Sequence, residues 1–258
     1  MSRKSTLNPP SRSKAKHVAS AWLLGGLFSL HAAMALAQGQ PPAGPRLILV
    51  GDSTMAPRSG YGNALCERFQ QVACLNLARG GRSSKSYRAE DLWDTVLTLL
   101  RERGPGDTRQ RNLVLIQFGH NDQPGKPGRS TDLATEFGPS LKAYVREVRE
   151  AGAEALLITP LTRRSFKAGE LPNDLRPWAE AVLQVGAELD VPVLDLNATS
   201  HAAVQALGQA GADELAEAPP RFDRTHLGPK GAQLFAQQVA EGLLRLKPEL
   251  ASALTLRP

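Results

Sequence analysis

Arg46-Leu47-Ile48-Leu49-Val50-Gly51-Asp52-Ser53-Thr54 is the stretch from which the rest of the chain is read. Four consecutive apolar residues, without polar alternation, belong in a strand covered on both faces, as in a parallel sheet. The glycine and the polar residues that follow fall at the strand's carboxyl end, where open α/β sheets bind their ligands. Further along, similar short runs rich in Val, Ile or Leu stand at 72–77, 113–116, 155–158 and 191–196. Helical spacing fills 63–70, 89–103, 133–151, 175–189 and 228–246. The alternation predicts a three-layer α/β/α sandwich on a five-stranded parallel sheet with right-handed crossovers. One domain, 46–258, accounts for it.

The 258 residues carry 31 Lys+Arg against 25 Asp+Glu, a formal charge of +6. Such an excess suits a nucleic-acid partner, but its distribution argues otherwise. Arg3, Lys4, Arg12, Lys14 and Lys16 precede an uncharged stretch that ends at Ala35-Leu36-Ala37. This is the pattern of a secretory signal, 1–37, cleaved before Gln38; an uncleaved anchor is the other reading of about 20 uncharged residues. Removing those five cations and no acid leaves a net charge of about +1. The expected product is secreted or periplasmic and monomeric, without stable membrane insertion or a nucleic-acid partner. Residues 38–45 read as an extended lead-in.

Cys66 and Cys74, eight positions apart, are either a disulfide of an oxidising compartment or two buried thiols. With no HExxH, no CxxC and no histidine near the cysteines, no metal site is expected.

Four polar segments fall where strand ends or the last helix would place them: Gly51-Asp52-Ser53-Thr54, Ala78-Arg79-Gly80-Gly81-Arg82-Ser83-Ser84, Phe118-Gly119-His120-Asn121-Asp122 and Asp223-Arg224-Thr225-His226. A serine hydroxyl needs a base, a group that orients the base, and donors for the oxyanion. Ser53 is the candidate nucleophile, His226 the base and Asp223, three residues before it, the orienting carboxylate. The N–H groups of Ser53 and Gly81 and the amide of Asn121 are the candidate oxyanion donors. Each segment alone is an ordinary turn or cap; their coincidence carries the reading. Gly60-Tyr61-Gly62 offers a nucleotide- or flavin-binding alternative, but position 65 is leucine and no Gly-Lys-Ser/Thr follows.

These blocks, in this order, resemble those of the SGNH or GDSL hydrolases from about Arg46 to Leu246. The resemblance implies a flavodoxin-like sheet of order 2-1-3-4-5, the roles just given to Ser53, Asp223, His226, Gly81 and Asn121, and no cofactor. Within that family the Gly-Asp-Ser-Thr-Met and Phe-Gly-His-Asn-Asp forms are most similar to rhamnogalacturonan acetylesterases and related bacterial carbohydrate esterases. The sequence departs from them at Arg88-Ala89-Glu90-Asp91 and in a short loop after Asp122. The expected substrate is an acetylated polysaccharide or oligosaccharide; a lipase, lysophospholipase or aryl esterase is the alternative.

Arg79, Arg82, Lys85 and Arg88 form a basic cluster with no acid among them. They read either as a surface that attracts an acidic glycan or as a solvated helix start. Arg82 and Lys85 are therefore candidate substrate contacts, and His120, beside Asn121, either touches substrate or packs beside the oxyanion loop. Arg163 and Arg164 either extend the cluster or form surface pairs, and His201 reads as structural.

Overall fold

A computed structural model describes residues 46–70, 72–102 and 112–254. The signal expected at 1–37 and the lead-in at 38–45 lie outside the described residues. Five parallel strands, β1 (Arg46–Gly51), β2 (Ala73–Asn76), β3 (Leu113–Gln117), β4 (Glu154–Ile158) and β5 (Val193–Leu194), make one sheet in the order β2-β1-β3-β4-β5. This is the expected order. β1 pairs with β2 on one edge (Leu49 opposite Asn76) and with β3 on the other (Gly51 opposite Gln117). The chain's direction of travel across the sheet reverses at β1, so the loops leaving β1, β2 and β3 open side by side.

Alternate side chains of β1 serve opposite faces. Leu47 and Leu49 join Tyr61, Leu65, Phe235, Val239 and Leu243 under α1 (Gly62–Cys66), α6 (Leu196–Asp213) and α7 (Pro229–Leu246). Ile48 and Val50 join Val96, Leu141, Val145 and Val182 under α2 (Ser86–Ala89), α3 (Leu92–Arg101), α4 (Gly138–Glu150) and α5 (Arg176–Leu189). Each such fully buried side chain contributes about 1.5–3 kcal/mol relative to exposure, which anchors the strand that presents Ser53.

Several boundaries differ from the expected ones. The 191–196 run yields only two strand residues because Asp195 caps α6, accepting from the N–H of Ala198. The helix expected at 89–103 is shortened to α3, because α2 ends at Ala89 and Asp91, at φ 57°, interrupts the chain between them. A π-helical turn, Leu133–Phe137, precedes α4. The 63–70 helix ends at Cys66, which is bonded to Cys74 in β2. Of the two readings left open for the cysteines, the structure takes the disulfide. Among the described residues no helix is long and apolar enough to cross a membrane.

Candidate active site

Past β1 the chain turns sharply, with the N–H groups of Met55 and Ala56 both donating to the Asp52 carbonyl. The Asp52 carboxylate lies inside this turn and accepts from the N–H and hydroxyl of Thr54, each at 2.9 Å. Thr54 in turn accepts from Gln117, which Tyr61 holds through its hydroxyl. Gly60-Tyr61-Gly62 forms the mould for the turn: a Cβ on Gly60 would stand 2.2 Å from the Thr54 carbonyl group, and one on Gly62 2.3 Å from the Met55 oxygen. Close packing accounts for this glycine pair without a nucleotide.

The last loop meets Ser53. His226 Nε2 lies 2.9 Å from Ser53 Oγ, and Nδ1 lies 2.7 Å from the Asp223 carboxylate. The second Asp223 oxygen accepts from the N–H groups of Thr225 and His226, both at 2.7 Å. Burial pushes the Asp223 carboxyl up, but those N–H bonds and the imidazole outweigh it and hold it below the usual carboxylate range. Leu227 N–H donates to Ser59 O at 2.9 Å, and Ser59 Oγ donates to Ser53 O at 2.7 Å. Histidine loop and nucleophile turn are thereby tied through their backbones as well.

The two remaining loops close around the same point. Gly81, at φ 79°, follows β2, and Gly80 lies beside Ser53, where a Cβ on it would make ordinary van der Waals contact with the serine Cβ at 3.8 Å. Asn121 donates one amide hydrogen to Arg82 O at 3.0 Å, leaving the other for a ligand. Beneath it Asp122 gathers Ser84 N–H and hydroxyl, Gly119 N–H and the Thr131 hydroxyl. Burial pushes the Asp122 carboxyl up to about 7, against the pull of the Ser84 bonds. Ser53, Gly81 and Asn121 are thus carried by three adjoining loops, as the sheet order requires.

The three candidate substrate contacts are placed differently. Of its two readings His120 takes the packed one: it is 2% exposed, and its Nδ1 stands 3.3 Å from Asp52. The residues before Ser53 and before Asn121 are therefore paired beneath the site. Arg82 and Lys85 do reach the surface, but Glu90 and Glu136 take up their charges, at 2.5 and 3.1 Å. Arg88 pairs with Glu147 and stacks over Trp93 and Tyr144. Of the basic cluster only Arg79 has no acidic partner among the described residues. Arg163 pairs with Asp174, and His201 is held by the Leu171 carbonyl.

The sequence profile of the GDSL-like Lipase/Acylhydrolase family matches residues 49–234. The chain belongs to this family. Rhamnogalacturonan acetylesterase RhgT of Bacillus subtilis (strain 168) is 32% identical over 80% of this chain and 94% of its own length. The probable rhamnogalacturonan acetylesterase YesY of the same organism is 32% identical over 78% and 93%. Among solved structures, YxiM of Bacillus subtilis superposes with a TM-score of 0.67 at 24% identity, over 80% of this chain and 58% of its own. The acetylxylan esterase Axe2 of Geobacillus stearothermophilus gives 0.56 at 18%, over 80% and 95%.

In this GDSL-family site Arg164, expected to extend the basic cluster or to form surface pairs, does neither. Arg164 is fully buried and donates to the carbonyl oxygens of Asp223, Thr225 and His226, while its own N–H donates to Arg224 O. Burial lowers its guanidinium to about 10, opposed by Asp223 and Asp213, so it remains charged at neutral pH. No motif marks such a residue, because its guanidinium partners are backbone atoms 59 to 62 positions away.

Proposed function

We propose that this family member is a secreted serine esterase that removes acetyl groups from a carbohydrate, pectic rhamnogalacturonan in the first instance, through an acyl-enzyme. The observation that carries the chemistry is the continuous line from Asp223 through His226 to Ser53, at 2.7 and 2.9 Å. The two relatives named as rhamnogalacturonan acetylesterases support the substrate class.

In this reading His226 Nε2 accepts the Ser53 proton as Oγ attacks the acetyl carbonyl carbon, while Asp223 keeps Nδ1–H pointed away from the serine. The carbonyl π pair moves to oxygen, and Ser53 N–H, Gly81 N–H and the free Asn121 amide hydrogen receive that charge. When the tetrahedral species collapses, the C–O bond to the sugar breaks and His226 returns the proton to the sugar oxygen. A water, deprotonated by the same ring, then attacks the acetyl-serine and releases acetate, and the proton goes back to Ser53. In this reading the nucleophile, base and oxyanion donors come from the chain, and water is the second substrate.

Secretion is supported by the signal pattern at 1–37 and, independently, by the bonded cysteine pair, since disulfides persist in oxidising compartments. The test is a substrate panel: acetylated rhamnogalacturonan and xylan against long-chain lipid esters, with released acid measured. Acetate release from the glycans is expected to dominate. Preference for long-chain esters would overturn the carbohydrate reading and favour a lipase or lysophospholipase.

A further inference from the structure

Besides the exposed Arg79 and the buried Arg164, the cations around the site fall into two groups. Arg82, Lys85, Arg88, Arg163 and Arg224 each face a carboxylate. Lys126 and Arg129 are half-buried and form no ion pair among the described residues, although the buried Asp52 and Asp122 carboxylates act on Lys126 from beneath. Instead each leans on a backbone carbonyl of the site: the Lys126 ammonium on His120 O, next to Asn121, and Arg129 Nη1 on Gly81 O at 3.2 Å. The two cations therefore flank the two loops that carry Gly81 and Asn121.

Their placement is built rather than accidental. Arg129 N–H donates to Lys126 O at 3.0 Å across Pro127-Gly128, with Gly128 at φ 71°. That is the signature of a type II turn, which brings its first and fourth residues within about 7 Å. Ser130 Oγ accepts from Lys126 N–H and donates to Gln123 O, and Thr131 N–H closes the loop onto Asp122 O. Burial, with Arg163 and Arg129 close by, pulls the Lys126 ammonium below the ordinary lysine value, and the buried Asp52 and Asp122 carboxylates oppose this only in part. A partly desolvated pair of like charges is relieved by an anion, and the unused guanidinium N–H groups match the two oxygens of a carboxylate.

We infer that Lys126 and Arg129 form a carboxylate-binding subsite at the rim of the esterase site, which seats a uronate of an acidic glycan beside the acetylated residue. The inference rests on the esterase reading above and replaces the cluster expected at Arg79, Arg82, Lys85 and Arg88, most of whose charge is taken up by Glu90, Glu136 and Glu147.

The test compares acetate release from one acetylated galacturonate-containing oligosaccharide with its carboxylates either free or methyl-esterified. The wild type is expected to prefer the free acid, less so as ionic strength rises. Lys126→Gln combined with Arg129→Gln should lower the kcat/KM ratio between the two forms about tenfold, the scale of one or two lost charged hydrogen bonds. Arg129→Lys alone keeps the charge without the fork and should lower the ratio less, which covers a double variant that fails to fold. Lys142→Gln, which removes a cation paired with Glu188, should leave the ratio as in the wild type. Equal release from both forms by the wild type, or an unchanged ratio in the double variant, overturns the subsite while leaving the esterase intact. Long-chain ester cleavage without acetate release overturns both.

Discussion

A histidine works as a base toward serine only while one ring nitrogen faces the nucleophile, and here that orientation is held from two directions. Asp223 takes the Nδ1 side at 2.7 Å, and Arg164 grips the carbonyls of the same loop from within the protein. Arg164 is accordingly a positioning residue. Misplacement of a catalytic group by about 1 Å costs about 100-fold in rate, so Arg164→Ala should reduce kcat by about 10- to 100-fold with little change in KM. Added guanidinium should restore part of the loss. If KM and kcat change only in step with a reduced folded fraction, and guanidinium restores nothing, Arg164 is structural alone. Ser53, Asp223 and His226 were legible because their chemistry is local in sequence blocks, whereas the Arg164 grip on main-chain atoms leaves no trace in residue type.

At the scale of elements, strand order does the assembling. The reversal at β1 sets three loops side by side, and α7 follows directly on the fourth loop. Apolar runs made the strands readable; their ends were set by side chains that periodicity cannot weigh, as when Asp195 converts the end of the fifth run into a helix cap. The disulfide joins α1 to β2, on either side of the chain that leads from the Gly60-Tyr61-Gly62 mould to the Gly81 loop. Loop-closure entropy for eight residues of separation gives about 2–3 kcal/mol. Cys66→Ser with Cys74→Ser should lower the unfolding free energy by that amount in a denaturant titration, with m nearly unchanged. A loss well under 1 kcal/mol would mean that the link adds little.

Over the whole molecule the charge expected to seek substrate is mostly consumed within the fold. Glu136 and Glu147, which neutralise Lys85 and Arg88, lie 51 and 59 positions away, so the local sequence showed an unbalanced cluster where the fold has ion pairs. A deeper pair bears on stability. Burial pushes the Asp52 carboxyl up, yet His120 and the Thr54 bonds hold it below its ordinary value. As pH falls below the ordinary carboxylate pKa of about 3.9, the unfolded chain takes up this proton first, so stability drains away through the lower folded value. Asp52→Asn should make the fall of Tm below about pH 4 shallower than in the wild type; an equally steep fall would place the acid sensitivity elsewhere. In the proposed function, ester hydrolysis passes through Ser53. The most direct check is acetate release by Ser53→Ala, with its Tm recorded alongside. The account predicts a loss of at least about 10³-fold in a protein that melts as the wild type does, and turnover retained by that variant would contradict it.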